Sequence, residues 1–123
     1  MSSVTSTPDP VADILSCGMA YRQFAIDNPT LYSVMFDRVV ADYRPTVDAH
    51  LLAGATLGLL ATRLERAMTA GALRSSDPLP TAALVWATCH GVVSLELKEV
   101  GPTAIDWPDV YDRAMKMIIT GLA

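Results

Sequence analysis

From Pro78 to Leu95 the chain carries no charged residue, and this run is opened by Asp77-Pro78 and followed by Gly101-Pro102. Aspartate before proline is a helix start. The carboxylate accepts from backbone N–H groups of the first turn, and proline lacks only an N–H that the helix leaves unused there. The run therefore predicts a helix over about 78–100. Its middle is apolar on every side, so it must be covered all round. Its length comes near the roughly 20 apolar residues of a membrane span. Pro80, Thr81, Thr88, His90 and Ser94 interrupt it, however, and the expectation is a buried helix of a soluble protein with no membrane contact.

The same punctuation recurs along the chain. Asp9-Pro10 predicts a first helix that ends near Asn28, because Pro29 disfavours helix at the residue before it. A short second helix, Thr30 to Phe36, is dense in large groups: Leu31, Tyr32, Met35 and Phe36. Asp37 to Arg44, with Val39, Val40 and Tyr43, reads equally as an extension of that helix or as a packed loop. Pro45 opens a third helix to about Ala70, with Ala53, Leu57, Leu60, Leu64 and Met68 on one face and Arg63, Glu65 and Arg66 towards solvent. Gly71 is its stop. Asp106 caps a last helix that carries Pro108 in its first turn and runs to about Leu122. Strand signals are absent: there is neither sustained alternation nor a hairpin turn. The expected fold is all-α, with about five helices in one domain over residues 10–123, after a Ser/Thr-rich tail, 1–9, expected to be disordered.

Charge and cysteine usage narrow the function classes. Thirteen acidic residues against nine basic ones leave a net charge of −4. The bases are scattered, as at Arg22, Arg38, Arg63 and Lys116, so no stripe exists to grip a phosphate backbone. Met1 to Thr7 has neither a charged nor an apolar segment of a secretory signal. Cys17 and Cys89 each lie inside an apolar helical pattern and read as reduced, buried thiols. That usage fits a cytoplasmic protein.

No catalytic or metal pattern emerges. Cys89 and His90 are adjacent, so their side chains point about 100° apart on a helix. Cys17 and His50 lie on other elements, without paired-ligand spacing. There is no phosphate loop, nucleophile elbow or His-Glu-x-x-His. The expectation is a protein without enzyme activity, metal or cofactor. Glu96 and Glu99, with Lys98 between them, look like a solvated helix terminus.

Two features point to binding and pairing. Trp86 and His90 are four residues apart and share a helix face. Gly91 beside them costs about 1 kcal/mol relative to Ala in mid-helix, which suggests close approach by another helix or a ligand. Either Trp86 is a core residue with a hydrogen-bonded His90 beneath it, or the two wall an apolar pocket in which His90 offers one directional polar contact. Tyr21, Phe24, Tyr32, Met35 and Phe36, with Leu57 of the third helix, have the composition to line such a pocket. In the last helix Val110, Ala114, Met117, Ile118 and Gly121 form one stripe, which Tyr111, Met115, Ile119 and Leu122 widen. A second copy would cover this stripe and the fourth helix together, as a four-helix bundle across a two-fold axis. Val92, Leu95, Tyr111, Met115, Ile118 and Leu122 are the expected interface. A monomer with a central fourth helix is the alternative.

Three segments carry a family resemblance. Val85-Trp86-Ala87-Thr88-Cys89-His90-Gly91 resembles the Trp-His-Gly helix of one type of TetR C-terminal domain. Ala20-Tyr21-Arg22-Gln23-Phe24, then Asn28-Pro29-Thr30-Leu31-Tyr32 and Met35-Phe36, is similar to that type's opening. Ala70-Gly71-Ala72-Leu73-Arg74, then Asp77-Pro78, resembles its link into the Trp-His-Gly helix. The likeness spans about residues 10–122. It implies a bacterial, homodimeric, ligand-responsive transcriptional repressor. In such proteins helix-turn-helix heads bind a palindromic operator, while C-terminal domains pair through the last two long helices and hold a small, often apolar effector that shifts the dimer geometry. Nothing before Val11 can form a helix-turn-helix. The chain is therefore expected to be the effector-sensing and dimerising part, meeting DNA only through a domain it lacks. A headless helical homodimer with no ligand is the alternative.

Overall fold

The computed structural model describes residues 6–36, 47–99 and 101–123. These form five helices: α1 (Pro10–Asp27), α2 (Pro29–Phe36), α3 (Val47–Thr69), α4 (Pro78–Leu97) and α5 (Trp107–Leu122). There is no strand among the described residues. Val39, Val40, Tyr43 and Pro45 lie outside the described residues, as do the side chains of Phe36, His50 and Ala53.

The helix starts follow from the Asp-Pro pairs. Asp9 accepts from the N–H groups of Val11 and Ala12, both at 3.1 Å. Asp77 accepts from Leu79 at 3.3 Å and Asp106 from Asp109 at 3.1 Å. Such caps contribute about 1 kcal/mol each. At the end of α3, Gly71 takes φ +80°, a backbone region in which side chains are strained. Its N–H donates to the Met68 carbonyl at 3.0 Å, and Ala72 donates to Ala67 at 2.9 Å, which closes the helix. Arg74 then satisfies the end of α5: its backbone N–H donates to the Leu122 carbonyl at 2.9 Å and its guanidinium to that of Gly121 at 2.6 Å.

Helix α4 packs on α3, α5 and α1. Ala82, Val85, Cys89 and Val93 face inward and are buried, together with Ile14 of α1 and Leu60 and Leu64 of α3. The opposite side of α4 is open: Leu84 is 54% exposed and Leu95 45%. Among the described residues α4 is the one helix whose length and apolarity could cross a membrane. One of its sides is engaged in the domain's own core.

Two expectations of solvated charge, for Arg63 and Glu96, are corrected, while Arg66 is exposed as expected but paired. Arg63 is buried and donates to the Asp13 backbone carbonyl at 3.3 Å. Arg66 pairs with the buried Asp13 carboxylate. Glu96 accepts a bidentate pair from Arg22, Nε at 3.1 Å and Nη2 at 2.8 Å. Each partner comes from a distant helix, a backbone carbonyl for Arg63 and an opposite charge for Arg66 and Glu96, and spacing along one helix does not reveal it. Asp13 also accepts from the Thr7 N–H at 3.0 Å and its hydroxyl at 2.6 Å. The Thr7 hydrogen bonds, and then Arg66, hold its carboxyl below the ordinary carboxylate value. The segment expected to be a free tail as far as residue 9 is thus tied to α1 and α3 at Thr7.

Candidate functional site: a hydrogen-bonded chain beneath α4

Ala83, Trp86, Ala87 and His90 follow helical spacing and share one face of α4. They line an open depression of about 290 Å³, near the lower end of the range for small-molecule pockets. The two alanines leave room between the two large rings.

Below this face lies a chain of polar contacts. Trp86 Nε1 donates to the Tyr21 hydroxyl at 3.1 Å. The Tyr21 and Tyr32 hydroxyls are 2.7 Å apart, and the Tyr32 hydroxyl lies 2.5 Å from His90 Nδ1. The path leaves α4 at Trp86, crosses α1 and α2, and returns to α4 one turn later. The Asn28-Pro29 break makes this possible. It lets α2 turn back so that the Tyr21 and Tyr32 rings meet edge to face, with centroids 5.8 Å apart and planes at 83°. Both tyrosines are buried. A buried hydroxyl without a partner costs about 1–3 kcal/mol, so the contacts hold the rings in place. The two readings of Trp86 and His90 coexist here: His90 is hydrogen-bonded from beneath and also walls an open space.

A second, partly open space is lined by α1, α3, α4 and α5. It measures about 20 Å³, and Cys17, Gly18, Tyr21, Val85, Trp86 and Met115 are among its lining residues. That is room for one water molecule. Cys17 and Cys89 are free and buried, and Cys89 Sγ lies 3.3 Å from Met115 Sδ. Burial pushes both thiols up, keeping them protonated and weak as nucleophiles or ligands. No group of three His, Cys, Asp or Glu side chains that could hold a metal occurs among the described residues.

The family model described as "Tetracyclin repressor-like, C-terminal domain" matches residues 14–118. The chain belongs to that family. The matched region takes in Tyr21, Tyr32, Trp86 and His90. No curated protein matches the chain.

In this tetracyclin repressor-like domain the expected site residues separate into groups. Trp86 and His90 wall the depression, with Tyr21 and Tyr32 beneath. Phe24 and Leu57 are half-buried against the core. Met35 is half-buried and lines neither space; Phe36 lies outside the described side chains. Sequence spacing missed Ala83 and Ala87, although Ala83 stands three residues before Trp86 and Ala87 three before His90. Of the expected interface, Leu95 is exposed, while Val92, Ile118 and Leu122 are half-buried. Tyr111 and Met115 are enclosed by their own protomer. Tyr111 donates to the Gly18 carbonyl, and burial pushes its phenol up. Met115 packs so closely on α1 that a Cβ at Gly18 would stand 2.6 Å from its Cε. Side chains so enclosed have no surface left for a partner. Met117, 72% exposed, and Leu84 are large apolar side chains at the surface. A Cβ at Gly91 would meet nothing within 4 Å, so no neighbour within the protomer accounts for that glycine.

Proposed function

We propose that this chain is the effector-sensing and dimerising domain of a bacterial, cytoplasmic transcriptional repressor, with no catalytic role of its own. It binds a small, largely apolar ligand, and binding shifts the population between dimer geometries. The observation that carries this reading is the chain from Trp86 through Tyr21 and Tyr32 to His90 under an otherwise apolar depression. Such a site combines apolar walls with one directional polar group, as small-molecule pockets do.

Pairing follows from the open side of α4. Leu84, Gly91 and Leu95, with Met117 of α5, form the contact in this reading, and Val92, Ile118 and Leu122 back it from the core. Two copies then build a four-helix bundle across a two-fold axis. DNA is met through a helix-turn-helix domain outside these 123 residues.

A second reading, a helical homodimer without a ligand, is favoured by the small size of the second space, about 20 Å³. Thermal unfolding against a panel of small apolar compounds separates the two. A rise in melting temperature that His90→Ala reduces, while sedimentation still finds a dimer, supports the sensor. No rise with any compound supports the ligand-free dimer. A monomer at micromolar concentration overturns both.

A further inference from the structure

Cys17 of α1, Cys89 of α4 and Met115 of α5 line the same small, partly open space of about 20 Å³. All three side chains are buried. The Cys89 thiol is directed at the thioether, with Sγ 3.3 Å from Met115 Sδ. Gly18, the neighbour of Cys17, is where Met115 meets α1: a Cβ there would stand 3.3 Å from the same Sδ. A glycine lets the sulfur approach the helix this closely. The thioether therefore sits between the two helices that carry the thiols. Three helices bring sulfur to one space that has room for a water molecule, and so for a bare ion.

The donors sort the ions. Among the described residues neither a carboxylate nor an imidazole lines the space, so calcium and magnesium lack their oxygen ligands. Zinc lacks its full tetrahedral set of Cys, His or carboxylate donors. Thiolate and thioether sulfur together select copper(I). We infer that Cys17, Cys89 and Met115 form a buried site for one copper(I) ion. The ion bonds to both cysteine sulfurs and to Met115 Sδ. Both thiol protons leave to solvent, and no electron is transferred. Burial holds the thiols protonated, so only a cation with strong sulfur bonds displaces those protons. The filled site carries one negative charge. The buried Arg63 guanidinium opposes the effect of burial on Cys17 and offsets part of that charge. The inference is independent of what occupies the depression on α4. Coordination ties α1, α4 and α5 at one point, and a ligand held only by the folded chain raises its stability.

The test titrates the intact, reduced chain without oxygen, using copper(I) buffered by a coloured chelator and, in parallel, zinc(II). One copper per chain is expected, with ultraviolet thiolate-to-copper absorption and a higher melting temperature. Zinc should give no binding and no melting shift. Cys17→Ser and Cys89→Ser should each lose the absorption and the melting shift. Met115→Leu keeps both thiols and nearly the same volume, and should release copper at a lower chelator concentration than wild type. Circular dichroism without metal checks that each variant folds. If one serine variant does not, the other and Met115→Leu carry the test. No copper held by wild type, zinc held as firmly as copper, or unchanged copper binding in the folded variants overturns the inference and leaves the sensing reading standing.

Discussion

Arg22 of α1 holds Glu96 of α4 by two hydrogen bonds, at 3.1 and 2.8 Å, across 74 positions of sequence. Both side chains are part-buried, 15% and 18% exposed, and the Arg22 guanidinium also lies 6.0 Å from the centre of the Tyr111 ring. One residue earlier on α1, Tyr21 accepts from Trp86 of the same α4. Consecutive residues thus fasten α1 to two separate turns of α4, one through charge and one through the chain that reaches His90.

Glu96→Gln keeps the shape of this clamp and removes the charge. The pair is neither fully buried nor free in solvent, so the expected loss is about 1–2 kcal/mol. It is read as a lower urea midpoint with an unchanged slope. An unchanged midpoint would mean that the attraction only offsets the desolvation of the two groups.

Asp13 makes stability depend on pH. Its carboxyl is held low in the folded chain, first by the Thr7 hydroxyl and N–H and then by Arg66. On unfolding those partners are lost, and the unfolded chain binds the proton more readily. Stability is therefore complete above the ordinary carboxylate value and falls as pH drops through it towards the lower folded value. Urea midpoints taken from neutral pH down through the acid range should decline in wild type. In Asp13→Asn the decline should be shallower, from a lower neutral value. Parallel curves would remove Asp13 as the cause.

Tyr32→Phe deletes the middle oxygen of the chain. The Tyr21 hydroxyl and His90 Nδ1 both lose the contact it supplied, which should cost about 1–3 kcal/mol. The His90 NMR signals should move in the same variant. A loss of stability with unmoved His90 signals would mean that the phenol matters only as packing.

Gly91→Ala separates folding from pairing. Nothing within the protomer lies near the added methyl, so the helix gains up to about 1 kcal/mol from propensity. At high dilution the melting temperature should rise. If a second copy approaches this side of α4, sedimentation should show a weaker dimer in the same variant. A dimer of unchanged strength would move the interface away from Gly91.

The thiols should be silent in the folded chain. Cys17 and Cys89 are buried and their ionisation is pushed up by that burial, so neither presents a reactive thiolate. A coloured thiol reagent should react slowly with native protein and with two equivalents in guanidinium. Fast native reaction of either one would show that the region around the inner cavity opens readily.

The local features were legible in the sequence because their causes are local. Asp9-Pro10, Asp77-Pro78 and Asp106 each cap a helix with atoms two or three residues away. Pro29 ends α1, and Gly71 ends α3 because glycine tolerates positive φ there. These causes, with helical spacing, placed five helices to within about one turn. They also put Trp86 and His90 on one face of α4. What covers each face was decided only by the tertiary structure. An apolar stripe says that burial is needed, not by what, and so Tyr111 and Met115 face α1 of their own chain rather than a partner. Arg63 and Glu96 read as solvated because their counterparts, the Asp13 backbone carbonyl and the guanidinium of Arg22, come from a distant helix. Arg66 is exposed as its spacing predicts, and only its pairing with Asp13 needed the tertiary structure. The link from Trp86 to His90 is of the same kind. Its two oxygens belong to Tyr21 and Tyr32, which meet only after α2 has turned back on α1 and both have packed against α4.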